Sequence, residues 1–299
     1  MDQNKCDKQC QKYCWSDYMN DKNSIFGKII FTYVLTMITV ANWTVISIND
    51  TYSSSLLREN FYFWSKGIDC ISMLSRSIFL LIILSYLQCY FKDPGYVSAE
   101  APETFQENLK QVCKKCDSWK PPRAHHCSKC RKCVFKMERH CFFINNCVGV
   151  RNIKSYALFL ASFIAMIILF MINSNLGYAL MVSRNPEILG QFSFLLRLSL
   201  NAFLCVQGCF FFRYVLELFE ETISGILKNR TAIEKKKGTY AANIRKSRAL
   251  TKVFGRYYLL YFVPMFHKGD NNLLEASYPS KLTADLEIAP GIPLEKYQL

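Results

Sequence analysis

Several common features are missing from this sequence. It contains no internal repeat and no glycine-rich loop of the kind that binds nucleotide phosphates. Residues Met1–Ser24 are polar and have no apolar core, so we expect no signal peptide there. Acidic residues are also scarce, because 23 Asp and Glu stand against 37 Lys and Arg, for a formal net charge of +14.

Length and apolar content exclude further classes of protein. The chain has 299 residues, of which 51% are apolar and 14 are cysteine. This composition excludes a disordered tail and a small secreted module held together by disulfides. The apolar residues are clustered rather than mixed, and this clustering favours a membrane protein.

Four apolar segments approach or meet the length of about 20 residues that a helix needs to cross a bilayer. Ile29–Ile48 and Ser155–Ser183 contain no charged residue, whereas Ser72–Phe91 and Phe192–Phe212 contain one arginine each. Such runs could instead be buried helices of a soluble protein, but four of them would leave too little chain to surround them. The sequence therefore predicts an all-α polytopic membrane protein with four transmembrane helices.

The basic residues are distributed unevenly along the chain. Residues 1–28, 92–154 and 213–299 hold 32 of the 37 Lys and Arg. The positive-inside rule then places both termini and the long central loop in the cytosol. These charges fit an anionic leaflet and an acidic, phosphate-bearing substrate better than nucleic acid, so we expect no nucleic-acid partner.

The apolar segments and the charged regions between them divide the chain into five predicted parts. We expect an integral, multi-pass protein of an endomembrane (Golgi or ER) or of the plasma membrane. The parts are a cytosolic N-terminal tail (1–28), transmembrane helices 1 and 2 (29–91), a cytosolic cysteine-rich domain (92–154), transmembrane helices 3 and 4 (155–212) and a cytosolic C-terminal region (213–299).

The central loop contains half of the cysteines and three of the four histidines. Thiols in the reducing cytosol are not expected to form structural disulfides, and Cys-x2-Cys pairs with interleaved histidines are typical of zinc sites. Two closed tetrahedral sites need eight ligands, which leaves one cysteine and one histidine over. Spacing does not say which residues these are, so a zinc-binding module and an enzyme with a reactive thiol both remain open. The residues are Cys113, Cys116, Cys127, Cys130, Cys133, Cys141, Cys147, His125, His126 and His140.

The order of motifs in this loop is distinctive. The run from Cys113 to Asn152 contains Cys-x2-Cys, then Lys-Pro-Pro-Arg-Ala-His-His-Cys-Ser, a second Cys-x2-Cys, Met-x-x-His-Cys and Ile-Asn-Asn-Cys-Val-Gly. It resembles the cysteine-rich domain of the DHHC family of protein S-acyltransferases (palmitoyltransferases). Three outlying segments also resemble motifs of that family, namely Asp93–Gly95, Thr231–Glu234 and Val253–Gly255. The arrangement of four predicted spans, two on either side of the domain, is similar to that family as well.

The resemblance implies an activity, cofactors and partners. Cys141 would attack the thioester of a long-chain acyl-CoA, and the cysteine of a cytosolic or peripheral membrane protein would then take the acyl group at the bilayer. Two structural zinc ions would support the domain. Their implied ligands are Cys113, Cys116, His126 and Cys133 for the first ion, and Cys127, Cys130, His140 and Cys147 for the second.

The chain departs from the family pattern beside the nucleophile. Glu138 and Arg139 stand where the family has Asp and the His that acts as base. Arginine stays protonated and cannot accept a proton, although it can stabilise a thiolate. Loss of a general base typically costs about 10²–10⁴-fold in rate. Ala232 also replaces a Thr that supports the Asp, so we hypothesise that it makes room for Glu138, which pairs with Arg139 or stays near Cys141.

Two alternative functions follow from these departures. One is a catalytically impaired pseudoenzyme, a zinc-stabilised scaffold that keeps the fold but transfers acyl groups poorly. The other is a zinc-dependent membrane adaptor of another class. An intact Cys141 favours the enzyme and the pseudoenzyme over the adaptor.

Overall fold

The computed structural model describes residues 62–97, 112–184, 192–238 and 244–255, together with part of 29–47. The predicted N-terminal tail and the C-terminal region beyond 255 lie outside the described residues. The chain divides into two compact units, one of which contains the cysteine-rich loop. That unit comprises Met1–Thr32, Ser85–Ala157 and Glu221–Leu299, and the other comprises Tyr33–Leu84 and Leu158–Glu220.

Within the described residues, three helices are long and apolar enough to cross a membrane. They are α1 (Tyr62–Phe91), α2 (Ile153–Arg184) and α3 (Phe192–Leu227). A bilayer core offers no water to backbone N–H and C=O groups, so a spanning segment of this kind must satisfy them within a continuous helix. The described chain is therefore mostly helical, with three candidate membrane spans.

These helices are longer than the predicted apolar segments. α1 begins at Tyr62, earlier than predicted, and α3 continues past Phe212 to Leu227. An apolar window marks only the part of a helix that suits hydrocarbon, whereas polar turns can continue the same helix. In the continuation of α3, Arg213 and Glu217 form an ion pair of 2.7 Å one turn apart, which supports the helical conformation.

The first predicted span, Ile29–Ile48, lies only partly within the described residues. Its described residues, which include 35–40, are helical. Within the second unit, Met37 and Val40 from this segment pack against the buried side chains of Phe170 and Leu204. That this first segment crosses the membrane, as the fourth span of the protein, stays a prediction.

Three antiparallel hairpins follow one another between α1 and α2. The all-α prediction omitted them, because strands of this length are too short to show a clear alternation of apolar and polar residues. Their turns place Asp117, Arg131 and Asn145 in the left-handed region, with φ of 50°, 54° and 43°. The strands are β1 (Val112–Cys113) with β2 (Ser118–Trp119), β3 (Ala124–Cys127) with β4 (Lys132–Phe135), and β5 (Arg139–Cys141) with β6 (Asn146–Val148).

In the part of the chain that the structure describes, two short helices follow α3. At the start of α4, the Thr231 hydroxyl accepts the N–H of Glu234 at 3.2 Å, and the Glu234 carboxylate accepts the N–H of Thr231 at 2.8 Å. This reciprocal capping box satisfies two backbone donors that a helix start leaves open. Near the end of α5, Phe254 is buried with Ile226 of α3. The bounds are Ala232–Lys237 for α4 and Lys246–Phe254 for α5.

Candidate metal clusters and active site

Cross-strand pairing brings a histidine and a cysteine face to face in two of the hairpins. His126 lies opposite Cys133 in β3–β4, and His140 lies opposite Cys147 in β5–β6. Residues directly opposite in an antiparallel pair project to the same side of the sheet. Each pair meets the Cys-x2-Cys of the preceding hairpin, so the three hairpins are linked in series. The resulting groups are Cys113, Cys116, His126 and Cys133, and Cys127, Cys130, His140 and Cys147.

The geometry of both groups suits zinc. The potential ligand atoms of each group all lie within 4.8 Å of one another. Sγ of Cys116 and Cys133 are 3.8 Å apart, and Sγ of Cys130 and Cys147 are 3.4 Å apart. Tetrahedral zinc with Zn–S bonds of about 2.3 Å places two thiolates about 3.8 Å apart. These are the two ligand sets that the family resemblance implied, and their donor chemistry and distances fit two zinc ions.

One histidine of the loop belongs to neither group. His125 is 3% exposed, and its two ring nitrogens have no hydrogen-bond partner within the described part of the chain. Burial lowers the pKa of His125 to about 4, so the ring is neutral at physiological pH. The histidine that two four-ligand sites leave over is therefore His125, a buried residue of β3.

Cys141 is the leftover cysteine, and it lies at the end of β5. Because successive side chains of a strand point to opposite faces, Cys141 shares its face with Arg139, and His140 points the other way. Cys141 is 6% exposed, and the hydroxyl of Tyr156, in the first turn of α2, donates to its Sγ across 3.8 Å. Burial raises the pKa of the Cys141 thiol, although Tyr156 and Arg139 act in the opposite direction.

Arg139 belongs to a cluster of charged side chains. Glu138 is 1% exposed, and its Oε2 accepts the backbone N–H of Ala232 at 3.2 Å. Its Oε1 lies 3.7 Å from Nη2 of Arg139, and the same nitrogen donates to Oε2 of Glu221 at 2.5 Å. Burial raises the pKa of Glu138 to about 7, although the N–H of Ala232 and the charge of Arg139 lower it. Sequence reasoning missed Glu221, since no local motif links α3 to β5.

The Lys-Pro-Pro-Arg motif contacts α4 through an ion pair. Arg123 and Glu234 form a bidentate ion pair, with 2.7 Å from Nε to Oε1 and 2.9 Å from Nη2 to Oε2. The planar fork of a guanidinium matches a carboxylate in this way, whereas lysine cannot. Two motifs that are far apart in sequence, and that carried the family resemblance separately, thus form one contact.

The end of α1 is tied to the β5–β6 hairpin. Asp93 accepts the N–H of Gly95 at 2.8 Å, and its other oxygen lies 2.9 Å from Nη1 of Arg151. The fully buried Asn146 donates to the carbonyl of Cys89 at 2.8 Å, near the end of α1 where helical carbonyls lack partners. In the sequence this asparagine is recognisable only as part of the Ile-Asn-Asn-Cys-Val-Gly motif.

Comparison with known proteins supplies a family. Residues 106–239 match the family model described as DHHC palmitoyltransferase. Over 201 residues the chain is 33% identical to human Palmitoyltransferase ZDHHC3, and the match covers 64% of this chain and 67% of that protein. The chain belongs to the DHHC palmitoyltransferase family. The resemblance drawn from the motifs is thereby confirmed.

Other relatives of this DHHC-family chain carry acyltransferase names. Rat Palmitoyltransferase ZDHHC7 is 31% identical over 203 residues, which cover 64% of the chain and 65% of that relative. The chain thus spans just under two thirds of that relative's length. Probable protein S-acyltransferase 12 of Arabidopsis thaliana is 27% identical over 274 residues, with coverage of 82% and 89%.

Family membership also bears on location. Three candidate membrane spans among the described residues of a DHHC-family protein indicate an integral membrane protein. At the position of the family's Asp-His-His-Cys this member carries Glu138-Arg139-His140-Cys141. The variant motif therefore sits at the one cysteine of the loop that neither metal group uses.

Proposed function

We propose that this protein is a protein-cysteine S-palmitoyltransferase that forms an acyl thioester on Cys141. The observation that carries the proposal is the position of Cys141, which lies outside both metal groups, shares a face of β5 with Arg139 and contacts the Tyr156 hydroxyl. A thiol that is not consumed by a metal and that faces a fixed cation is suited to nucleophilic work.

The reaction would proceed in two exchanges. In loading, the Cys141 thiolate attacks the carbonyl carbon of a long-chain acyl-CoA, and the bond to the CoA sulfur breaks so that CoA leaves as a thiolate. In transfer, the thiolate of a cysteine on a membrane-associated protein attacks the acyl-Cys141 carbonyl, and Cys141 leaves. Neither exchange needs an oxidant or a reductant, because one thioester replaces another.

The two metal groups would support this site without joining the chemistry. Zinc held by four protein ligands has no open coordination position, so its contribution is structural. The second ion would be held in part by His140, and this would fix the strand that carries Arg139 and Cys141. The buried Cys141 depends on this support, since three-residue strands have little stability of their own.

Loading and transfer differ in what they require of Arg139. Its guanidinium can stabilise negative charge on sulfur, which favours loading. It cannot take the proton of an incoming thiol, because it remains charged at any relevant pH. Contacts from Glu138 and Glu221 hold that charge in place. A second candidate function is accordingly an acyl-carrying pseudoenzyme that loads Cys141 and passes the acyl group on slowly.

One experiment separates these functions. Purified full-length protein is incubated with radiolabelled palmitoyl-CoA, and hydroxylamine-sensitive label is measured on the wild type and on Cys141→Ala before an acceptor protein is added. We expect label that depends on Cys141, followed by its movement to the acceptor. Cys209→Ala, at an exposed cysteine of α3, is the matched control and should keep the label. Label without movement would support the pseudoenzyme, and absence of Cys141-dependent label would refute both.

A further inference from the structure

Glu221 makes a contact that the variant motif does not explain. Its Oε2 accepts a hydrogen bond of 2.5 Å from Nη2 of Arg139, and the side chains of Arg139 and Glu221 are 20% and 34% exposed. The same nitrogen of Arg139 lies 3.7 Å from Glu138. One nitrogen thus lies between the buried carboxylate of Glu138, which directly precedes β5, and a carboxylate of α3.

The face of α3 that carries Glu221 runs directly over the motif. Gly225 follows Glu221 by one turn and so lies on the same side of the helix. A Cβ placed on Gly225 would come within 3.5 Å of Oε2 of Glu138. Both positions of α3 therefore approach the Glu138–Arg139 pair, which makes the Glu221 contact part of a packed interface.

An ion pair between two residues of α3 shows how an exposed contact differs from that of Arg139 and Glu221. Arg213 and Glu217 are 2.7 Å apart one turn from each other, and their side chains are 72% and 56% exposed. Such exposed pairs contribute little and lose strength in salt. Arg139 and Glu221 lie far apart in sequence and are largely shielded, so their contact fixes the guanidinium much more firmly.

We propose that Glu221 is a positioning residue for acyl loading, which holds the guanidinium of Arg139 on the face of β5 that carries Cys141. This inference rests on the proposed function. During loading, negative charge moves from the Cys141 sulfur to the carbonyl oxygen and then to the departing CoA sulfur. A cation fixed beforehand at this place stabilises that charge without reorganisation during the reaction. In this chain the fixed guanidinium of Arg139 stands at the family's histidine position and supplies positive charge rather than a base.

The test measures single-turnover loading of purified full-length protein at several concentrations of labelled palmitoyl-CoA. Glu221→Gln should lower the maximal loading rate about tenfold or more, the effect expected when a charge-assisted contact is lost and its partner is misplaced. The concentration of palmitoyl-CoA that gives half-maximal loading should stay the same. Glu220→Gln is the matched control, since Glu220 is the exposed neighbour on α3, and it should load as the wild type does.

A double-mutant cycle with Arg139→Gln separates positioning from a general structural effect. If Glu221 acts through Arg139, then Glu221→Gln causes no further loss of loading rate in the Arg139→Gln background. An equal loss in both backgrounds, or wild-type loading by Glu221→Gln, would overturn the inference. Bound zinc and the unfolding midpoint are measured on each variant.

Should Glu221→Gln fail to fold, Glu221→Asp decides the matter. The aspartate keeps the charge but is one methylene shorter, so we expect folded protein that loads several-fold more slowly than the wild type. Wild-type loading by this variant would overturn the inference. If the wild type itself shows no Cys141-dependent label, the proposed function fails, whereas loading that is indifferent to Glu221 removes this inference alone.

Discussion

Arg123 donates hydrogen bonds to both carboxylate oxygens of Glu234, at 2.7 Å and 2.9 Å, although the two residues belong to separate motifs. Their side chains are 16% and 4% exposed. Removing one partner of a buried pair leaves the other charge without compensation. The contact therefore makes the position of α4, and of Ala232 at its start, dependent on the connection between β2 and β3 that carries Arg123.

We first predict that Arg123→Ala destabilises the protein by about 3–5 kcal/mol, as expected when one partner of a buried ion pair is removed. Arg123→Lys should recover only part of this, because lysine cannot bind both oxygens. Thermal unfolding of the purified variants measures the effect. Arg131→Ala, at an exposed arginine of the β3–β4 turn, is the control. Equal midpoints for Arg123→Ala and Arg131→Ala would contradict the prediction.

The same pair predicts a pH dependence. Burial raises the pKa of Glu234, but the hydrogen bonds and charge of Arg123 outweigh this and hold it below its ordinary value. A lowered carboxyl pKa stabilises the folded state above the unfolded pKa of about 4.3, and this contribution disappears as pH falls through the folded pKa. The difference in unfolding midpoint between wild type and Glu234→Gln should therefore be largest near pH 7 and shrink below about pH 4. A difference in unfolding midpoint that stays constant with pH would refute this predicted pH dependence.

A third prediction concerns Ala232 and Glu138. The side chain of Ala232 is 7% exposed, and its N–H binds Glu138 at 3.2 Å. Ala232→Thr adds two heavy atoms next to the buried carboxylate of Glu138, so loading of Cys141 should slow by about tenfold, as for other small displacements at a reacting site. Glu138→Asp shortens the facing side chain and should restore loading in the double variant. Unchanged loading in Ala232→Thr would show that the two positions are independent.

A fourth prediction concerns proton transfer. Arg139→His introduces a group that can accept the proton of an incoming thiol, so transfer to an acceptor protein should accelerate by up to about 10²–10⁴-fold. Arg139→Lys is the matched control, because lysine keeps the charge and adds no base near neutral pH. Transfer from preloaded enzyme is followed by the loss of label from Cys141. Equal transfer by Arg139→His and Arg139→Lys would exclude the missing base as the cause of slow turnover.

Metal removal gives a fifth prediction. We expect two zinc ions per chain, and their removal by a chelator should unfold the three hairpins and abolish loading, since structural zinc supplies folding free energy. Cys113→Ser should lose bound zinc, whereas Cys70→Ser, at an exposed cysteine of α1, should retain both ions. Zinc is measured by mass spectrometry and by colorimetric release. Full loading after complete metal removal would contradict a structural role.

The local sequence predicted much of the helical part and of the metal chemistry. α2 follows the charge-free segment Ser155–Ser183 to within a few residues, because hydrocarbon tolerates only continuous helix. The ends of α1 and α3 were predicted less well, since polar turns carry no hydropathy signal. The strands were not predicted at all, because strands this short show no clear alternation of apolar and polar residues.

By itself, the sequence determined the apolar segments, the cysteine-rich loop, the family and the variant Glu138-Arg139-His140-Cys141. Composition and ligand chemistry are local properties, so they can be read from the order of residues. Only the tertiary structure decided that Arg123 binds Glu234 and that Arg139 binds Glu221 of α3. Those contacts join residues about a hundred positions apart, and they exist because folding brings α3 and α4 against the hairpins, which no local pattern encodes.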